Sequence, residues 1–242
     1  MKRAIFVAVL CASVALPAAA DPTFYVAPNT YSSSSSTWDI PWQTAVGTFT
    51  ELDLDNFASS ADIDSLTFGS IVANVGLGGL NGTASTAEIF AGSWGGSSNG
   101  SVYGTVYGMG LLNRDAAGTI HGEITFAFLE PVKGFGAWVY DNSSSSAESF
   151  RMIVTEVGGS TFTSQPLESG NGTVHFVEGW LGATSAVGIT AVSYQVIATD
   201  GDPVLKAFEM DHLQLSPVPI PGAVLLGVLG LGVAGMRLRK RA

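Results

Sequence analysis

Apolar and polar residues alternate with a period of two in short runs through the central part of the chain. In residues 122–128, Ile124, Phe126 and Phe128 fall on one side of such a run. Because successive side chains of a strand point to opposite faces, this pattern predicts a strand with one buried face. Further strands are predicted over residues 134–140, 150–154, 174–177, 189–197 and 204–215.

Turn signals separate these runs, and helical periodicity is scarce. Asn-Gly or Asp-Gly pairs occur at Asn81-Gly82, Asn99-Gly100, Asn171-Gly172 and Asp200-Gly201, and such pairs favour tight β-turns. Many short strands joined by turns are typical of sandwiches and jelly rolls. We therefore predict an all-β fold, an antiparallel and jelly-roll-like β-sandwich formed by residues 21–216.

Residues 1–20 have the pattern of a secretory signal peptide. Lys2 and Arg3 precede a short apolar stretch, which we expect to be helical, and Pro17 interrupts it. The small residues Ala18 and Ala20 fit the cleavage site, so we expect signal peptidase to cut after Ala20. The alternative is an N-terminal membrane anchor, for which the apolar stretch is short. The chain's one cysteine, Cys11, would leave with the signal, so no disulfide is expected in the mature protein.

Charge is distributed unevenly along the chain. All twenty Asp and Glu lie between the terminal segments, together with only four of the ten Lys and Arg, which gives residues 21–216 a net charge of −16. This balance disfavours nucleic acid and anionic lipid as partners. It fits either an acidic solvated surface or a surface that binds divalent cations.

Residues 217–242 combine a proline-rich break, an apolar run and a basic cluster. Val218, Pro219, Ile220 and Pro221 precede the fourteen-residue run 223–236. A helix of that length spans about 21 Å, less than the ~30 Å hydrocarbon core, although flanking residues extend it. We predict a single hydrophobic helix here, with its basic end on the cytoplasmic side. The basic cluster contains Arg237, Arg239, Lys240 and Arg241.

This tail resembles the PEP-CTERM class of bacterial sorting signals, in a variant with Val-Pro-x-Pro in place of Pro-Glu-Pro. The resemblance covers about the last 25 residues, and it departs from the commonest form at Ile220. It implies an exosortase, a membrane transpeptidase, as a partner, and release to the cell surface or the exopolysaccharide matrix. The alternative is a plain C-terminal anchor. Residues 128–137 and 207–213 also look like the uncharacterised jelly-roll domains that precede such tails.

Repeated Asp-x-Asp pairs suggest one candidate metal site. Two carboxylates on one face of a strand repel each other unless a cation such as Ca²⁺ neutralises them. The candidate ligands are Asp53, Asp55 and Asp211, on an early segment and the last predicted strand. The alternative is that these acids are exposed and bind no metal.

Two tryptophans are candidates for stacking on sugars. Trp138 falls opposite the side shared by Phe135, Ala137 and Val139 and could point outward, and Trp94 lies in a Gly/Ser-rich stretch. The alternative is that both belong to the core.

No catalytic site is predicted. The run from Glu209 to Gln214 is a near miss to the E-x-D-x-x-E signature of laminarinase-type glycosidases, because Gln214 stands where a proton-donating acid is needed. We therefore expect an exported surface or matrix protein with a structural or interaction role. A carbohydrate-binding module with a structural Ca²⁺ is the first alternative, and a glycosidase-like enzyme is the second.

Overall fold

The computed structural model describes residues 20–28, 39–52, 62–78, 87–91, 109–112, 122–141, 148–168, 177–198 and 209–218. The segments predicted as a signal helix and a hydrophobic tail helix lie outside these ranges. Within them, no helix is long and apolar enough to cross a membrane.

Twelve strands and one short helix make up the described part of the chain, in the order β1, α1, β2 to β12. The helix α1 is Ile40–Val46, and the strands are β1 Thr23–Pro28, β2 Thr50–Leu52, β3 Asp62–Ile63, β4 Ser65–Phe68, β5 Ile71–Gly78, β6 Ala87–Ala91, β7 Met109–Leu112, β8 Glu123–Asp141, β9 Glu148–Glu156, β10 Thr161–Thr163, β11 Val177–Ala198 and β12 Glu209–Pro217.

The prediction of a mostly antiparallel β fold is confirmed. Nine strands form one sheet, in which the central order is β10-β9-β11-β8-β12-β2, and every pairing between these strands is antiparallel. Three further strands belong to this sheet, since β1 pairs with β11 and β5 pairs with both β4 and β8. The strands β3, β6 and β7 form a separate three-stranded sheet.

The two longest strands, β8 and β11, bend so that the two halves of the large sheet face each other. The Tyr194 hydroxyl donates a hydrogen bond to the Leu181 carbonyl at 3.0 Å, although both residues belong to β11. Thirteen residues of straight strand would span about 43 Å, far beyond the reach of a side chain. In β8, likewise, the rings of Phe126 and Phe135 are 5.0 Å apart.

An irregularity in the pairing of β11 with β8 marks the bend, between Thr184 and Ala191. Gly188 lies inside it with φ +98°, a conformation that side-chain-bearing residues rarely adopt. Ser185 secures the turn because its hydroxyl donates to the Glu156 Oε1 at 2.6 Å and accepts the N–H of Gly188 at 3.0 Å. Ser185 and Glu156 are both buried, and this mutual bond offsets part of the cost of burying them.

One apolar core fills the space between the halves of the sheet. Phe135 is at its centre, with its ring 5.2 Å from Phe128, 5.7 Å from Phe68 and 6.3 Å from Tyr194. Burying an aromatic side chain of this size contributes roughly 1.5–3 kcal/mol. The predicted apolar faces of residues 122–128 and 150–154 both point into this core.

Candidate functional site

The outer face of one sheet half, formed by β1, β11, β8 and β12, is covered by α1 and by a second apolar cluster. This tryptophan cluster consists of Trp42, Val46, Trp138 and Trp180, with Tyr25, Ala27 and Phe49 packed against it. Trp42 comes from α1, and its Nε1 donates to the Ala183 carbonyl at 3.1 Å. Lys133 holds the end of the helix, since its Nζ donates to the carbonyls of Ala45 and Val46, where a cation is favourable.

A pair of glycines makes room for the tryptophan rings. Gly136 and Gly182 lie opposite each other in the β8–β11 register, two residues from the paired Trp138 and Trp180. A Cβ at Gly136 would lie 2.3 Å from Trp180 Cζ2, and one at Gly182 would lie 2.7 Å from Trp42 Cδ1. The indole rings therefore occupy the volume that side chains at these two positions would fill.

The expectation that Trp138 points outward is wrong. Trp138 does lie on the face opposite Phe135, Ala137 and Val139, but it is 3% exposed. The alternation correctly predicts which residues of β8 lie on each face. The error is the assumption that the face with Trp138 is exposed to water, because the tryptophan cluster covers it. Sugar stacking needs an accessible ring, which Trp138 does not offer. The other candidate, Trp94, lies outside the described residues.

Polar side chains gather on the same outer face, beside the tryptophan cluster and along β12. This polar cluster joins the start of α1, the strand β2 and the strand β12. Its members are Asp39, Gln43, Glu51, Asp211, His212 and Gln214.

Gln214 is the hub of the polar cluster, although it is only 1% exposed. Its Nε2 donates to Asp39 Oδ2 at 2.9 Å and to Glu51 Oε2 at 3.1 Å. Its Oε1 accepts a hydrogen bond from Gln43 Nε2 at 3.2 Å, and Gln43 also donates to Asp39 at 2.7 Å. One buried amide thus bonds groups from α1 and β2, which fastens both elements to β12.

A bulge in β12 directs His212 toward Glu51. The β12–β8 register shifts between Asp211 and Gln214, and His212 has φ +47°, unusual for a residue other than glycine. His212 Nδ1 lies 2.6 Å from Glu51 Oε1, and its Nε2 lies 3.9 Å from Asp211 Oδ2. The bulge therefore sets an imidazole between two carboxylates.

This contact changes the acidity of Glu51. The hydrogen bond with His212 lowers the pKa of Glu51, and partial burial opposes that shift. The charge of His212 and the hydrogen bond from Gln214 lower the pKa further. Glu51 is therefore held in its charged form as the acceptor that links β2 to β12.

The polar cluster has the features of a structural link. The hydrogen bonds described above join members from α1, β2 and β12 to one another, so these groups satisfy one another across the three elements. Gln214, at the acid position of the glycosidase-like pattern, is an amide whose protons are directed at two carboxylates. An amide cannot supply the proton that glycoside cleavage requires.

The candidate calcium ligands are placed only in part. Asp211 is buried, and its Oδ1 accepts the N–H of His212 at 2.8 Å. Asp53 and Asp55 lie outside the described residues, although β2, which ends one residue before Asp53, is paired with β12. Among the residues that the structure describes, no group of three or more His, Cys, Asp or Glu is arranged to hold a metal ion. The calcium site stays a prediction.

Of the predicted processing residues, the structure describes two. Ala20 is exposed, three residues before β1, and Val218 is exposed directly after β12. Ala18, Pro219, Ile220, Pro221 and the basic residues Arg237, Arg239, Lys240 and Arg241 lie outside the described ranges.

Sequence reasoning missed the helix and the polar partners that it brings. Trp42, Asp39 and Gln43 lie in or beside α1, a segment that gave no periodic signal of its own. One cue was available, because Pro41 after Asp39 is a combination that often starts a helix.

Comparisons with known proteins place the chain in no family. It matches no protein-family profile and no curated protein. Among solved structures it is similar to the M60 catalytic domain with CBM51 domains of Clostridium perfringens ZmpB, at 12% identity and a TM-score of 0.31, covering 70% of this chain and 15% of that one.

Two xylanase-related structures are similar at the same level. The CBM22-1–GH10 modules of Clostridium thermocellum Xyn10B share 11% identity, with a TM-score of 0.29, over 70% of this chain and 28% of that one. The CBM22-1 xylan-binding domain of Paenibacillus barcinonensis Xyn10C shares 12%, with a TM-score of 0.27, over 72% of this chain and 94% of that one. Likenesses this weak carry no conclusion about ligand or activity.

Proposed function

We propose that the chain is an exported, non-enzymatic protein of the cell surface or extracellular matrix. Its jelly-roll-like β-sandwich, residues 21–216, is the part that reaches the outside. Residues 217–242 are its sorting signal, and an exosortase-like membrane transpeptidase is the partner that processes it. Signal peptidase removes residues 1–20. The released domain then lies in the exopolysaccharide matrix, which is its proposed binding partner.

The junction between the sheet and the tail carries the proposal. The strand β12 ends at Pro217, and Val218, the first residue of the Val-Pro-x-Pro motif, is 42% exposed. The motif thus starts where the chain leaves the sheet at an accessible position. A protease must bind its substrate segment outside regular pairing, so a motif that starts just after β12 is suitably placed.

The sorting mechanism that we propose combines membrane insertion of the tail with an extended segment that an enzyme can cut. The apolar run 223–236 enters the inner membrane, and the basic cluster after it keeps the end of the tail on the cytoplasmic side. The prolines at 219 and 221 cannot donate to a sheet and favour an extended segment that a membrane enzyme can bind. Cutting there separates the acidic domain from its tether.

Intact-mass measurement on protein extracted from the surface of exosortase-bearing cells tests the proposal. We expect a chain that begins at Asp21 and ends near Pro219. A Pro219→Ala/Pro221→Ala double variant should keep its tail, whereas Pro166→Ala, an exposed proline after β10, should be processed normally. A wild-type mass that extends to Ala242 would show a permanent anchor and defeat the proposal.

A further inference from the structure

Exposed apolar side chains gather at the bend of the sheet, around Gly188. Val157 is 47% exposed, Val187 is 38% exposed and Val218 is 42% exposed, and Pro131 is exposed as well. A Cβ atom added at Gly188 would lie 3.1 Å from Pro131 Cβ, 3.5 Å from Val157 Cγ2 and 3.7 Å from Val218 Cγ2. We call Pro131, Val157, Val187 and Val218 the bend patch.

The backbone fixes the bend patch in place. The Val157 N–H donates to the Gly188 carbonyl at 2.9 Å, and the Val187 N–H donates to the buried Ser185 hydroxyl at 3.1 Å. Pro217, just before Val218, is opposite Val132 in the β12–β8 register. Four separate parts of the chain therefore present one apolar surface, and an exposed apolar cluster of this kind is typical of an interaction site.

The position of Val218, the last member of the bend patch in the sequence, indicates which surface the patch contacts. Only four residues, 219–222, separate Val218 from the apolar run 223–236. The five steps from Val218 to Ala223 span at most about 18 Å. The headgroup layer on one side of a bilayer is roughly 5–8 Å thick. If the run enters the membrane as proposed above, with Ala223 at the edge of the hydrocarbon core, Val218 is held within about 13 Å of the headgroups.

We infer that the bend patch is a membrane-contacting surface that rests on the bilayer interface while the tail is inserted. The inference rests on the proposed membrane-inserted tail and adds an orientation for the whole domain. Valine and proline side chains can enter the boundary between headgroups and acyl chains, where apolar surface is withdrawn from water. The contact would place the end of β12, and with it the processing motif, at the membrane surface.

Charge indicates which lipid surface suits the contact. Residues 21–216 carry a net charge of −16, and Glu130 precedes Pro131 on an exposed stretch of β8. An anionic surface would repel this domain, so a zwitterionic surface is favoured.

A cysteine scan in reconstituted protein tests the inference. In a Cys11→Ser background, which contains no other cysteine, Val187→Cys or Val157→Cys is labelled with an environment-sensitive fluorophore. The protein is reconstituted into phosphatidylcholine vesicles with a lipid-borne quencher. Ile40→Cys on α1 is the control, because Ile40 is 46% exposed and lies outside the patch.

We expect blue-shifted emission and at least twofold stronger quenching by lipid at positions 157 and 187 than at position 40. Vesicle flotation, measured in parallel, reports insertion of the tail independently of the labels. Protein that floats with equal quenching at all three positions overturns the inference and leaves the proposed tail intact. If the protein does not float, both the proposed membrane insertion of the tail and the membrane contact of the bend patch are wrong. A blue shift without vesicles that grows with protein concentration assigns the patch to a second copy of the chain and also overturns the lipid contact.

Discussion

At the scale of single residues, absent side chains matter as much as present ones. Gly136 and Gly182 face each other across β8 and β11, and the rings of Trp180 and Trp42 lie over them. In a closely packed interior, a buried indole ring or the backbone cannot easily move aside to make room for an added methyl group. A Cβ added at Gly136 would meet an indole ring and backbone together, since it would lie 2.3 Å from Trp180 Cζ2 and 3.1 Å from the Gly182 Cα.

Gly136→Ala should therefore destabilise the fold. The added methyl group would displace the Trp180 ring, and overpacking of this kind costs about 1–3 kcal/mol. Urea denaturation gives the change in the free energy of unfolding. Gly76→Ala in β5 is the matched control, since a Cβ there has nothing within 4 Å, and its effect should be much smaller. Equal stability of the two variants would contradict the packing that we describe.

Glu51 should make the stability depend on pH in acid. Its pKa is lowered from an ordinary value near 4.5, mainly by the hydrogen bond with His212. A carboxyl group whose pKa is lower in the folded state stabilises the fold above its unfolded-state pKa. That contribution is lost as the pH falls through the folded-state pKa.

Glu51→Gln removes the titrating group and should flatten this dependence. Unfolding of the variant and the wild type, followed from pH 6 to pH 3, gives the comparison. The difference should be no more than about 1 kcal/mol, because the Glu51 side chain is 36% exposed and water screens its interaction with His212. Parallel pH profiles would show that the Glu51–His212 contact contributes nothing.

At the scale of elements, a short helix decides which residues are buried. Seven residues do not form a stable helix alone in water, so α1 depends on its contacts with the sheet. Trp42 is its main contact, fully buried and with ring centroids 5.7 Å from Trp180 and 5.9 Å from Phe49. The helix in turn shields Trp138 and Trp180 from water.

Trp42→Ala should release α1 and expose the tryptophan cluster. Loss of a buried tryptophan costs about 3–5 kcal/mol, and near-ultraviolet circular dichroism should weaken because the remaining indoles lose their fixed surroundings. Ile40→Ala, on the same helix but half exposed, should change stability by less than about 0.5 kcal/mol. A Trp42 variant as stable as the Ile40 variant would show that α1 is not fastened by this side chain.

The strands were easier to predict than the helix, for a physical reason. The alternation in residues 122–128 and 150–154 reports a face against one core, which is a local property of the sequence. The continuity of β8 through Pro131 and of β11 through Gly188 depends on partners distant in the chain. Trp138 is buried in a cluster with Trp42 and Val46 of α1, which lies far earlier in the chain, and that separation hides its burial from local patterns.

The candidate site was predictable to a smaller degree. Asp211 and Gln214 stood out in the sequence because of the glycosidase-like spacing. Their actual partners, Asp39 and Glu51, come from elements that only the fold brings beside β12. Apolar residues outside the core give no pattern, so the bend patch, which unites positions 131, 157, 187 and 218, could not be read from the sequence either.

At the scale of the whole molecule, the last strand is an interior part of the sheet. The strand β12 lies between β8 and β2 and supplies Met210, Leu213 and Leu215 to the core. Its polar face holds Gln214 and Ser216, whose hydroxyl donates to the Thr48 carbonyl at 2.7 Å. The proposed processing point, by contrast, lies after the end of β12, so cutting there should leave these contacts intact.

Two truncations test this boundary. A chain that ends at Val218 should fold and keep a free energy of unfolding within about 0.5 kcal/mol of the full-length protein, as expected for a change outside the packed structure. A chain that ends before Glu209 loses a central strand, exposes the paired edge of β8 and leaves a cavity where three buried apolar side chains had been, so it should not fold cooperatively. Thermal unfolding followed by circular dichroism distinguishes the two. If the chain that ends at Val218 also failed to fold, release of the domain by cutting near Pro219 would be untenable, because the product could not persist outside the cell.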